Sequence, residues 1–294
     1  MNRLVEAGKL YLLQAKLGFN IRALEAQAPR NQQPHIIGTS NQDSQVSITM
    51  IDIHSHILPG IDDGPRGLEQ ALEMAQLAVA DGIRVMVATP HLFKHRSGEV
   101  AALNEKSVIL EHLDRFRDRL AAESIPLEIL PGCDVPLSTD ALSLLAEDRV
   151  LTVNDGKRYL LLELPHFSIP PTLEDICFRL QSLGITPIIT HPERQPMILE
   201  KPERLSRLLE LGCLAQLTAC SLTGTFGRQV AKGSRQLVKK GYIHVLASDA
   251  HNTRGRPPIL SKAVSALSKL IGPEQARAMV TQTPAKIIKG EPVP

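Results

Sequence analysis

Short runs of Ile, Val and Leu recur along this chain at intervals of about 30 residues, the length of a strand–helix–strand unit. They predict strands near 51–53, 84–89, 127–131, 159–163, 186–190, 213–217 and 243–248. Several are apolar throughout, as strands buried on both faces must be. Amphipathic helix patterns lie between them. Leu68, Ala71, Leu72, Ala75, Ala78 and Val79 make one apolar stripe over 67–81, and Ile259, Leu260, Ala263, Val264, Leu267, Leu270 and Ile271 make another over 257–271. Pro170-Pro171-Thr172 ahead of Asp175 reads as a helix start with a Thr cap, and Pro202 ahead of Leu205, Leu208 and Leu209 reads as another. Seven such units predict an α/β fold, a (β/α) barrel one strand short of eight. A doubly wound open sheet is the alternative.

The 294 residues suit one large domain or two small ones. A net charge of +2 gives no electrostatic reason to expect nucleic acid or an anionic membrane as the main partner. Cys133, Cys177, Cys213 and Cys220 are scattered and read as reduced, buried thiols. No apolar stretch reaches the roughly 20 residues of a membrane span. Leu10-Tyr11-Leu12-Leu13 is too short for the core of a signal peptide, so a cytoplasmic location with no transmembrane segment is expected. Residues 1–49 stand apart. A weak helix over 3–26 precedes a disordered linker rich in Gln, Asn, Ser and Pro over 27–48. The expected division is an N-terminal extension over 1–49 and a barrel over 50–294.

In a parallel barrel the active site forms at the C-terminal ends of the strands. His54 and His56 end the first predicted strand, where residues two apart point to one side. Asp63 follows in a loop with Pro59, Gly60, Gly64 and Pro65, which can fold a carboxylate back toward them. Further along, His91, Asp134, Glu163 and His191 follow the next four strands, and Asp249 with His251 follows the seventh. Only the sixth strand ends without such a residue. Taken singly, a His after a strand is more often a hydrogen-bonded core residue, and Asp249 could cap a helix. Those readings must hold independently at six strand ends and give no reason for the recurrence on one rim. Buried charges need partners, and a shared metal cluster supplies them. Imidazole with carboxylate suits zinc, manganese or iron. Five histidines and four carboxylates suit two or three ions, with Glu163 as a bridge. His35, His112 and His244 fall in a linker, on an exposed helical pattern and inside a strand. His95 and His166 lie in loops near the rim and read as solvated.

Two arginines leave the same rim, Arg194 in His191-Pro192-Glu193-Arg194 and Arg256 after His251. A guanidinium fork matches phosphate oxygens, so beside a metal cluster the pair points to a phosphate ester. Arg254 reads as a surface charge.

Asp52-Ile53-His54-Ser55-His56-Ile57-Leu58-Pro59 with Asp62-Asp63-Gly64-Pro65 resembles the opening of the PHP (polymerase and histidinol phosphatase) superfamily. Thr89-Pro90-His91, Leu162-Glu163-Leu164-Pro165, His191-Pro192-Glu193-Arg194, Leu222-Thr223-Gly224 and Ser248-Asp249-Ala250-His251-Asn252 narrow the resemblance to the bacterial protein-tyrosine phosphatases of capsule and exopolysaccharide synthesis. It covers about residues 50–290. It implies a distorted (β/α)7 TIM-like barrel of the PHP type. It also implies a trinuclear centre of divalent ions, manganese ahead of iron or zinc. By position the ligands would be His54, His56, Asp63, His91, Asp134, Glu163, His191, Asp249 and His251, and Arg194 and Arg256 would bind phosphate. The third strand of such proteins usually ends in Gly-x-Glu. Here it is Gly132-Cys133-Asp134, one methylene shorter, so its metal is expected to bind more weakly or through water.

The expected activity is metal-dependent hydrolysis of phosphotyrosine monoesters by activated water. The expected partner is a phosphotyrosine protein, a bacterial tyrosine kinase of polysaccharide export. No cysteine lies in a Cys-x5-Arg loop, which disfavours a cysteine nucleophile. The rivals are a small-molecule phosphatase of the histidinol-phosphate type and a non-catalytic metal-binding regulator.

Overall fold

The computed structural model describes residues 49–96 and 99–294, with side-chain surroundings outside 94–101. The helix over 3–26, the linker over 27–48 and His35 lie outside the described residues. In chain order the strands are β1 (Met50–Ser55), β2 (Ile83–Ala88), β3 (Phe93–Arg96), β4 (Glu99–Leu103), β5 (Glu128–Pro131), β6 (Asp134–Pro136), β7 (Tyr159–Glu163), β8 (Thr186–Thr190), β9 (Leu214–Thr218) and β10 (Val245–Ala247). The α-helices are α1 (Leu68–Asp81), α2 (Lys106–Ala122), α3 (Thr139–Ala146), α4 (Leu173–Ser182), α5 (Pro196–Glu200), α6 (Glu203–Glu210), α7 (Ala219–Thr223), α8 (Arg228–Lys239), α9 (Ser261–Ile271), α10 (Pro273–Ala278) and α11 (Gln282–Lys289).

The fold is mixed α/β with two parallel sheets. One has three strands in the order β1-β2-β5, and the other has five in the order β10-β9-β8-β7-β6. Single parallel bridges, Ser55 to Ala250 and His91 to Asp134, link the ends of the two sheets. The third predicted strand is β5; Gly132 and Cys133 follow it, and Asp134 opens a further strand, β6, that carried no separate signal.

The apolar runs are explained by burial on both faces. Along β7, Leu160 and Leu162 pack into a large cluster with the helices, while Tyr159 and Leu161 pack into a second, smaller one. Leu246 of β10 likewise joins the first, and Val245 and Ala247 join the second. Ile51, Ile53, Ile188 and Ile287 of α11 also belong to the smaller cluster. Strands such as β7 and β10 therefore carry apolar side chains on both sides, which the sequence shows as an unbroken run.

Three local expectations change. The pattern over 257–271 becomes a helix only from Ser261, because Asp81 at the end of α1 accepts from the backbone N–H of Leu260 at 2.7 Å and of Ser261 at 2.9 Å. Thr172 precedes α4 without a side-chain capping bond. An antiparallel hairpin, β3 with β4, fills a stretch that carried no strand signal. Its far end is tied back to the rim, since Asn104 donates to the backbone oxygens of His91 at 2.8 Å and Ile61 at 3.3 Å.

Candidate metal centre

The structure brings all nine sequence-predicted ligand residues to one place. Among the described residues three overlapping groups of potential ligands form: His56, Asp63, His91 and His251; His54, His56 and Asp134; and His91, Asp134 and Glu163. Asp134 Oδ2 lies 3.5 Å from His54 Nε2 and 3.4 Å from His91 Nδ1. Glu163 spans His91 at 3.5 Å and His191 at 3.4 Å with different oxygens. Asp249 Oδ1 lies 3.5 Å from His54 and 3.4 Å from His56. Asp63 Oδ1 lies 3.3 Å from His251 Nε2 and 3.6 Å from His91 Nε2.

Backbone placement is part of the design. His191 and Asp249, just beyond β8 and β10, hold φ of 35° and 53°. Left-handed conformations are uncommon for residues with a Cβ and cluster where function requires them. Here the turn keeps each side chain on the rim instead of continuing the strand alternation. The Asp-Asp-Gly-Pro loop closes on the first strand so tightly that a Cβ on Gly64 would stand 2.1 Å from the backbone oxygen of His56. Only glycine permits that approach, and the approach carries both aspartates to the rim.

Three further residues orient the first two histidines. Asp62 Oδ2 sits 2.6 Å from His56 Nδ1 and also accepts from the His91 backbone N–H at 3.1 Å. Gln216 Oε1 sits 3.0 Å from His54 Nδ1. Buried Asp52 accepts from the backbone N–H of His54 at 3.3 Å and Ser248 at 3.0 Å. The sixth predicted strand, β9, thus reaches the site after all, through Gln216. Asp62 stood in the quoted motif. Gln216 inside an apolar run was its own signal, a polar side chain in a strand buried at every position.

These contacts bear directly on a cation. With Nδ1–H donated to Asp62 and to Gln216, neutral His56 and His54 carry their lone pairs on Nε2, and those two atoms face each other at 3.3 Å. Both oxygens of fully buried Asp134, and Nε2 of His251, have no hydrogen-bond partner. Converging lone pairs with unsatisfied buried oxygens form a donor set that fits a divalent ion, with outer residues fixing the tautomers.

In a metal-free chain protons fill part of that role. Burial pushes His54 down, but Asp134 and Asp249 outweigh it and raise it. His56 is held well above its usual range against burial, chiefly by Asp62 and Asp249. Burial works against ionised Asp249, yet Arg194 and His54 hold it well below the carboxylate range. Burial and neighbouring His56 push His251 down to about 4. Burial alone lifts Asp52 to about 6.

Arg194 and Arg256 converge on the outer oxygen of Asp249. Arg194 Nη2 donates to Asp249 Oδ2 and to Thr218 Oγ1 at 2.9 Å, and Arg256 Nη2 donates to the same Oδ2 at 2.6 Å. The Nε of each is buried without a partner. Both face a cavity of about 430 Å³ lined also by Asp63, His91, Glu163 and His191. His166 lines it from an exposed loop, while His112 lies on α2 and His244 accepts from the Ala215 backbone N–H at 3.2 Å. All four cysteines are free thiols, three buried and Cys220 half-buried, with burial lifting Cys220 to about 11. His95 belongs to the 94–101 stretch.

The chain is similar to known proteins. Tyrosine-protein phosphatase YwqE of Bacillus subtilis is 41% identical over 225 residues, 76% of this chain and 86% of YwqE. Tyrosine-protein phosphatase CpsB of Streptococcus pneumoniae is 32% identical over 247 residues, 81% of this chain and 98% of CpsB. A crystal structure from work on these two proteins, described as unique metal-dependent tyrosine phosphatases, superposes with a TM-score of 0.79 at 37% identity. It covers 83% of this chain and 96% of its own. The model of the capsular polysaccharide synthesis family CpsB/CapC matches residues 50–289, a span that holds every residue of the rim. The chain belongs to the CpsB/CapC family of capsular polysaccharide synthesis.

Proposed function

We propose that this chain is a metal-dependent protein-tyrosine phosphatase that hydrolyses phosphotyrosine monoesters. The observation that carries the reading is the pair of arginines. Each is anchored through one Nη2 on Asp249, and both guanidinium groups line the cavity beside a cluster rich in metal-type ligands. Such donors suit the non-bridging oxygens of a phosphate.

His54, His56, Asp63, His91, Asp134, Glu163, His191, Asp249 and His251 would hold two or three divalent ions, manganese ahead of iron or zinc. When bound, such ions supply Lewis acidity toward phosphate oxygens and a water activated for attack. Arg194 and Arg256 bind the phosphoryl group and offset the charge on its equatorial oxygens. Asp62 and Gln216 keep the Nδ1 protons of His56 and His54 in place, which leaves Nε2 of both free for coordination. The O–P bond to water forms, the bond to the tyrosine oxygen breaks, and the phenol takes a proton.

The same reading takes the two sheets as arcs of one distorted (β/α)7 barrel of the PHP type. The single bridges and the run from β5 into β6 support it. The phosphatase unit is then residues 50–294, with 1–49 an extension. The substrate is a phosphotyrosine protein, and a tyrosine kinase of polysaccharide export in the cytoplasm fits the family's link to capsule synthesis. No described helix is long and apolar enough to cross a membrane.

The test is turnover of para-nitrophenyl phosphate, a phosphotyrosine peptide and histidinol phosphate, with and without exhaustive chelation. Chelation should abolish turnover, manganese should restore it, and the peptide should exceed histidinol phosphate. Full activity after metal removal would exclude the metal mechanism. Preference for histidinol phosphate would favour the small-molecule phosphatase, and tight peptide binding without turnover the regulator.

A further inference from the structure

The loop between α7 and α8, Gly224-Thr225-Phe226-Gly227, is set by two glycines. Gly224 has φ 103°, and Gly227 has φ 90° with ψ 170°. The latter is a region open essentially to glycine alone. A Cβ at either would meet nothing within 4 Å, so the glycines serve the dihedrals and not the space. The Gly227 backbone N–H donates to Gly224 O at 3.0 Å and closes the turn, while Thr225 N–H donates to Cys220 O at 3.0 Å.

The turn delivers one side chain. The Phe226 ring lies under the Arg194 guanidinium, whose Cζ is 4.2 Å from the ring centroid, and 5.9 Å from the Arg256 Cζ. It lines the same cavity as both arginines and is half-buried. It belongs to neither apolar cluster, so core packing does not account for it.

A ring and a carboxylate hold a guanidinium differently. A carboxylate occupies N–H groups and neutralises the charge. An aromatic face attracts the cation through its quadrupole and leaves every N–H free. Asp249 already takes one Nη2 of each arginine. A second carboxylate would consume the donors a phosphate needs, whereas Phe226 fixes the planes of the guanidinium groups and spares them. Fixing them before the ligand arrives removes an ordering cost from binding.

We propose that Phe226 is a positioning residue of the phosphate site, holding Arg194 and Arg256 by its ring and leaving the N–H groups that face the cavity free for phosphate. This rests on the reading of the cavity as a phosphoester site. The glycines that force the turn belong to the same device.

The test uses the manganese-loaded full chain and its Phe226→Leu, Phe226→Tyr and Gly227→Ala variants. Leu keeps the apolar volume without a π face, Tyr keeps the face, and Ala denies the backbone conformation while leaving the ring in the chain. Orthophosphate binding is measured by calorimetry, kcat and KM with para-nitrophenyl phosphate, and bound metal by elemental analysis. Phe226→Leu should weaken orthophosphate binding and raise KM by about two- to thirtyfold. Gly227→Ala should act in the same direction, and Phe226→Tyr should remain near the parent, with metal content unchanged throughout. Phosphate affinity unaltered in Phe226→Leu, or lost together with metal, would overturn the proposal. If the parent itself neither binds orthophosphate nor turns over the ester, the phosphoester reading fails instead.

Discussion

A single carboxylate beside a candidate ligand is the most economical control in this site. Asp62 does not belong to the three ligand groups, yet its 2.6 Å contact with His56 Nδ1 decides which nitrogen of His56 carries the lone pair. Removing such an outer partner typically weakens metal binding about 10- to 100-fold. Asp62→Ala should therefore lose metal affinity by that order, read by competition against a chromophoric chelator, with the fold intact by circular dichroism. Affinity equal to the parent's would mean that Asp62 merely caps its own loop through the Gly64 N–H, which it also accepts at 3.0 Å. The candidate ligand residues stand out in the sequence because each stands at a strand end and carries its own chemistry, and the fold brings them together. Gln216 was not named, because its role is a contact with His54 across 162 positions of chain. Phe226 was not named either. A lone phenylalanine between glycines signals a turn, and only the fold shows two arginines above it.

At the scale of elements, seven strands, β1, β2, β5, β7, β8, β9 and β10, were readable from apolar runs because burial on both faces leaves no ambiguity. The β3–β4 hairpin was hidden, since Lys94, His95, Arg96 and Glu99 present no alternation of apolar residues. The start of α9 was misplaced because Asp81, contributed by another helix, supplies its cap. The loop after β1 is the element on which most depends, for it carries Asp62 and Asp63 and rests on Gly64. A methyl group there would overlap the His56 backbone oxygen at 2.1 Å, so the loop or β1 must move. Gly64→Ala should cost about 1–3 kcal/mol of stability, the usual scale of forced overpacking. It should also lower bound metal, since the displacement carries Asp63 away from His91 and His251. Urea midpoints with elemental analysis measure both. A variant with the parent's midpoint and metal content would show that the loop yields freely.

At the scale of the whole molecule, the rim joins both sheets, so its charge state bears on the stability of the entire fold. In the metal-free chain Asp62, Asp134 and Asp249 are held below the usual carboxylate range despite burial, through His56, His54 and Arg194 respectively. Groups of this kind stabilise the fold above their unfolded value and lose that contribution as pH falls through the folded one. His54 and His56 are raised against burial by carboxylates, so their contribution is full below the unfolded value of about 6.5 and is lost as pH rises through the folded value. Asp52, lifted to about 6 by burial, adds a cost in the same direction, which is largely complete once pH has risen past about 6. His251, pushed down to about 4 by burial and by His56, opposes this only on the acid side of neutrality. The metal-free chain should therefore lose stability between about pH 6 and about pH 8. Metal reverses the trend, because coordination requires neutral imidazole and its affinity rises as protons leave. Binding to the native state alone adds RT ln(1 + [L]/Kd), so at fixed free manganese the gain grows with pH. The gap in Tm between loaded and metal-free protein should widen from about pH 6 to about pH 8, by roughly 2–4 °C for each kcal/mol of added binding energy. Scanning calorimetry at both pH values measures it. A gap that stays constant or narrows would show that His54 and His56 do not exchange protons for metal.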